Sequence, residues 1–115
     1  MAKYETTLKG DVRALAAVIE QGIMGGSVSA SLEDQSNFSA DGVQVAVRVF
    51  ERYSWLGSNR VSLSVTLVSR GQDIFVSAIT SGGSQAVFFK INTFGESAFL
   101  DKLIDIIANF ERRGG

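Results

Sequence analysis

The sequence predicts an α+β domain: an antiparallel sheet of four or five strands in a meander, packed on one face by an N-terminal and a C-terminal helix. Three observations predict it. Apolar residues recur at every second position from about Ser27 to Ser81, the period of a half-buried strand. On either side of that stretch they recur at helical spacing. Three turn signals inside it agree on one apolar face, and a slip of one residue at any of them would flip every side chain.

The elements follow in order. Residues 3–8 alternate weakly, with Tyr4, Thr6 and Leu8 on one side, and predict a short first strand. Asp11 then suits a helix N-cap, because its carboxylate can accept from free first-turn amides. Val12, Leu15, Ala16, Ile19 and Ile23 place a helix over 11–23, ended by Gly22, Gly25 and Gly26. Val28, Ala30 and Leu32 open the meander. Asp41-Gly42 is a strong hairpin signal. Val43, Val45, Val47, Val49, Tyr53 and Trp55 follow on odd positions, with Gln44, Arg48 and Arg52 between them. Leu56 to Asn59 and Arg70-Gly71 supply two more turns. A turn centred on Gly57 sets Val49 opposite Val65 and Tyr53 opposite Val61. A turn at Arg70-Gly71 sets Leu67 opposite Ile74 and Leu63 opposite Ala78. The Asp41-Gly42 turn sets Phe38 opposite Val45 and Leu32 opposite Glu51. Residues 86–91 are an apolar run that periodicity alone does not classify. Thr93 and Glu96 have the form of a capping box, and Phe99, Leu100, Leu103, Ile106, Ile107 and Phe110 place the second helix over 94–111.

Composition narrows the function classes. The chain has 115 residues, no cysteine and no histidine, and reads as one domain, 1–115. Disulfides and thiolate chemistry are thereby excluded, and the commonest general base and transition-metal ligand are missing. The formal charge is −1, so there is no basic surplus for nucleic acid. No apolar run reaches the roughly 20 residues of a membrane span. The N-terminus, Met1 to Glu5, is polar and unlike a signal peptide. The expectation is a cytoplasmic protein with no cofactor, no metal and no catalytic residue, and most naturally not an enzyme.

Longer segments carry a resemblance. Gly26 to Ser31, Val47 to Ser54, Asn59 to Leu63, Ser77 to Ala86 and Phe89 to Glu96 resemble bacterial proteins of the DUF6054 family over nearly the whole chain. That family is uncharacterised, so the resemblance implies no catalytic residues. The order strand, helix, meander, helix also resembles a truncated helix-grip fold. Such folds often hold apolar ligands between sheet and helix, an analogy of fold rather than of site.

Two candidate sites follow from the faces as read. Glu51 falls among the odd-numbered valines and so points at the core, where a lone carboxylate is costly. It is either a polar anchor in a ligand pocket or a group that reaches the rim beside Arg60 or Lys90. With Tyr53, Trp55, Leu63, Phe99 and Leu103 it would bind a small apolar or amphipathic ligand between sheet and second helix. On the opposite face Phe50, Phe75 and Ile79, with Arg48, form an apolar patch suited to a homodimer. Arg48, Arg52 and Arg60 on that face are either a small anion site or a solvated strand surface.

Overall fold

A computed structural model describes the backbone at residues 1–27, 29–54, 59–82 and 89–114, and the side chains at these positions except 54, 59 and 89–95. The elements are β1 (Ala2–Lys9), α1 (Val12–Gly25), β2 (Ser31–Ala40), β3 (Val43–Ser54), β4 (Asn59–Arg70), β5 (Asp73–Gly82) and α2 (Phe89–Arg112). The strands form one antiparallel sheet in the order β1-β5-β4-β3-β2. The meander is therefore extended on its β5 side by the first strand of the chain. Both helices lie on one face: α2 over β1, β5 and β4, and α1 over β4, β3 and β2.

Local chemistry accounts for most boundaries. Asp11 caps α1, its carboxylate accepting from Arg13 N at 3.3 Å while its carbonyl accepts from Leu15 N at 3.0 Å. The helix ends on Gly26 in a right-handed conformation, φ −88°, rather than the left-handed one that glycine permits. Glycine matters more inside α1. A Cβ on Gly22 would lie 2.5 Å from Ile106 Cδ1, so the missing side chain is what lets α2 approach this closely. Asp41 and Gly42 have φ of 54° and 81°. Two positive values make the type I′ turn that matches strand twist. Helix α2 begins at Phe89, earlier than the capping-box form of Thr93 and Glu96 indicates. Glu96 instead lies within the helix and is buried.

The strand pairings correct two of the three expected registers. Arg70 pairs with Asp73, so Gly71-Gln72 is the loop, and Leu67 meets Val76 and Leu63 meets Thr80. This is a shift of two residues, which leaves the faces unchanged. Between β3 and β4 the shift is one residue: Phe50 meets Leu63, Arg48 meets Val65 and Arg52 meets Val61. Every described side chain of β3 is therefore on the face opposite to the one its valines suggest. Phe50, Ala46 and Arg48 point towards the helices, while Val43, Val45, Val47, Val49, Glu51 and Tyr53 point away. At the first hairpin Phe38 does meet Val45, but an irregularity between Leu32 and Asp34 sets Leu32 opposite Phe50. Such a bulge changes which positions face inward along a strand. It lets Leu32 pack on the core although Phe38, of the same parity, does not.

Two costs decide the β3 register. The inner site beside Leu63 and Val61 takes an aromatic ring, and Phe50 fills it with 0% exposure. Burying this ring removes more apolar area from water than burying a valine. The other register would also point Glu51 at the core. In the observed one Glu51 stays at the surface, its Oε1 accepting from Arg60 Nε at 2.9 Å. Phe50→Ala is accordingly expected to cost about 3–5 kcal/mol, the range for truncating a buried phenylalanine. Val49→Ala, on the helix-free face, is expected to cost about 1 kcal/mol or less. Urea denaturation of both variants at low protein concentration measures the difference.

Candidate functional site

The helix-free face has a defined grain. Following the pairings from edge to edge, Phe38, Val45, Val68, Phe75 and Thr7 form one continuous row across all five strands. The next row but one is Asp34, Val49, Ser64, Ile79 and Lys3, and between them lie Ser36, Val47, Thr66, Ser77 and Glu5. Phe38 is 64% exposed, Phe75 40% and Ile79 41%. Towards the other end the face becomes polar. Ser62 and Ser81 share a hydrogen bond of 2.7 Å, and Arg60 bonds Glu51 and Ser31. At the hairpin end a hollow of about 750 Å³ opens where Val43, Val68 and Phe75 meet Glu111 from α2.

A second concavity lies on the helix side. Helix α1 covers β2 and β3 incompletely, leaving a groove of about 450 Å³. Its apolar lining is Val12, Ala16, Ala17, Phe38, Val45 and Ala46, and its polar groups include Arg13, Glu20, Asn37, Gln44 and Arg48. Arg48 is only 7% exposed. Its Nε donates to Glu20 Oε2 at 2.6 Å, and its Nη1 to Val47 O at 2.9 Å, Asn37 Oδ1 at 3.0 Å and Ser36 O at 3.3 Å. A buried charge requires such a set of partners.

One family model matches residues 1–111 of the chain, the span from β1 to the last turn of α2, and its description is a family of unknown function. The chain belongs to the DUF6054 family. No curated protein matches it. Membership thus identifies the domain without assigning its chemistry, and the DUF6054 site must be argued from its own residues.

In this DUF6054 domain the residues expected to bind a ligand do not come together. Leu63, Phe99 and Leu103 sit in the core, at 0%, 1% and 0% exposure. Glu51 and Tyr53 lie on the other side of the sheet, by the register of β3. Trp55 lies outside the described residues. Among the expected interface residues, Phe75 and Ile79 are on the helix-free face, but Phe50 and Arg48 are not. Both point towards the helices, for the same reason of register. Among the three arginines, only Arg60 keeps its expected face. Arg52 stacks on the Phe99 ring, its Cζ 4.6 Å from the centroid, and burial lowers its guanidinium pKa from the ordinary value.

Sequence reasoning missed the pairing of Glu20 with Arg48 and the burial of Glu96, which it reads as a capping residue. Glu20 reads as a polar helix position, and nothing local announces a partner 28 residues away. Glu96, 4% exposed, faces the end of β5, where Gly82 leaves room: a Cβ there would lie 3.1 Å from Glu96 Oε2. The N-terminal amine lies 2.6 Å from Glu96 Oε1, an ion-pair distance without hydrogen-bond geometry. Among the described residues no group of acidic side chains is arranged to hold a metal ion.

The two arginine–glutamate pairs should differ in worth. Arg48 is buried and Arg60 is half exposed. Glu20→Ala leaves a buried guanidinium Nε without its acceptor and is expected to cost about 1–3 kcal/mol. Glu51→Ala is expected to cost less than about 1 kcal/mol, as for exposed pairs. Thermal or urea unfolding of the two variants side by side checks the order.

Proposed function

We propose that this domain is a non-catalytic interaction module whose working form is a homodimer, with a second copy covering the helix-free sheet face. The observation that carries the reading is the apolar row Phe38, Val45, Val68 and Phe75, continuous across four strands with no helix or strand above it among the described residues. An antiparallel sheet commonly leaves one face to water, but that face is then polar. Here one row across it is apolar over four strands, between rows that carry serine, threonine and charged residues.

Size and complementarity favour a second copy as the occupant. Five strands about 4.8 Å apart and about 33 Å long offer roughly 800 Å² per face. That is about the area per partner of a stable interface. A two-fold axis running along β4 carries each row onto itself and exchanges the β5 side with the β3 side. Phe75 then lies over Val45 of the second copy, Ile79 over Val49 and Phe38 over Thr7. Large side chains oppose smaller ones, as interdigitating sheets require. The same axis sets Lys3 over Asp34, opposite charges at the rim.

Sedimentation equilibrium tests the reading. A dimer is expected for the unaltered chain, and monomers for Phe38→Lys and Phe75→Lys with folding intact by circular dichroism. Lys3→Glu is expected to weaken association about two- to fivefold, as for an exposed ion pair, and adding Asp34→Lys to restore it. An unaltered chain that stays monomeric at high concentration contradicts the proposal.

A further inference from the structure

A groove lies between α1 and the β2–β3 hairpin. Arg48 is more than nine-tenths buried, and four acceptors occupy its Nε and Nη1. Its Nη2 has no hydrogen-bond partner among the described residues, and it is not one of the sealed, unsatisfied atoms either. Arg48 is among the residues that line the groove. The guanidinium is held in place with the N–H donors of Nη2 left over, each able to donate to a carboxylate or carbonyl oxygen.

Charge selects between these. The groove presents two arginines, Arg13 and Arg48, against one glutamate, Glu20, and so keeps a net positive charge. Helical spacing brings this about, since residues 13, 16, 17 and 20 share one stripe of α1. Within that stripe the alanines leave the space. Val12, Ala16 and Ala46 supply an apolar wall opposite the donors, and the volume of about 450 Å³ falls in the range of small-molecule sites. We propose that this groove binds a small organic carboxylate, one of its oxygens on Arg48 Nη2 and its hydrocarbon body against the α1 alanines. The groove's α1 wall and Arg48 are on the helix side of the sheet. It shares Phe38 and Val45 with the dimer reading, but its donors, Arg13 and Arg48, and the α1 alanines are not part of that row.

Hexanoate, with hexanamide and hexanol as neutral controls, is a suitable probe set, read by amide chemical shifts and calorimetry on the full chain. Hexanoate is expected to give saturable shifts at residues 37, 44, 46 and 48, and to bind about tenfold more tightly than hexanamide, the worth of a charge-assisted hydrogen bond. Arg48→Met is expected to remove that preference. Because Arg48 is buried, a second variant guards against misfolding: Ala17→Trp fills the groove from an exposed helix position and is expected to abolish the shifts while the fold is retained. Hexanoate binding that survives Ala17→Trp, equal binding of acid and amide, or no saturable shift with any of the three probes overturns the proposal.

Discussion

The pairing of β3 with β4 is the constraint on which the rest of the structure depends. It sets Phe50 opposite Leu63 and Arg48 opposite Val65. From that single alignment follow the aromatic ring at the centre of the core, the buried arginine beside α1 and the row of valines on the free face. Move β3 by one residue and all three features vanish together, since a strand's side-chain period is two. What holds the alignment is a polar argument as much as an apolar one. Each charged side chain of β3 has an environment in this register. Arg48 has Glu20, Arg52 has the Phe99 ring, and Glu51 has Arg60 at the surface. The alternative leaves Glu51 facing a core of leucine and valine.

The two faces of the sheet consequently do different work. On the helix side, Phe99, Leu103 and Ile107 of α2 close over β4 and β5 with side chains that are almost fully buried. Helix α1 crosses close to α2 at Gly22 and reaches β2 less completely, which is how the Arg48 groove comes to exist. On the other side Phe38, Phe75 and Ile79 stand exposed. An apolar row across a sheet is stable in water only at a cost, and burying it against a like surface removes that cost. The interaction reading and the groove reading thus arise from one packing arrangement, seen from its two sides.

Much of this was legible in the sequence, and the part that was not has a physical reason. The α+β class, the two helices, the Asp11 cap and the Asp41-Gly42 turn are local signals, and they stand. The faces of β5 survive a two-residue error in the turn, because parity does not change. Strand β3 misleads because its odd positions carry four valines, a pattern that reads as core wherever it occurs. An uncovered apolar face and a buried one are indistinguishable by periodicity. Phe50 looked like an outlier for the same reason. The irregularity at Glu33 leaves no signature in composition, and it alone explains why Leu32 and Phe38 part company. Glu20 and Arg48 meet only in three dimensions, so neither residue announces the other.

Cross-strand proton contacts measured by NMR test the β3–β4 alignment most directly. The structure requires close contacts between the main chains of Phe50 and Leu63, of Arg48 and Val65, and of Arg52 and Val61. Contacts pairing Val49 with Val65 and Tyr53 with Val61 would instead place the valines inside, and would contradict the account.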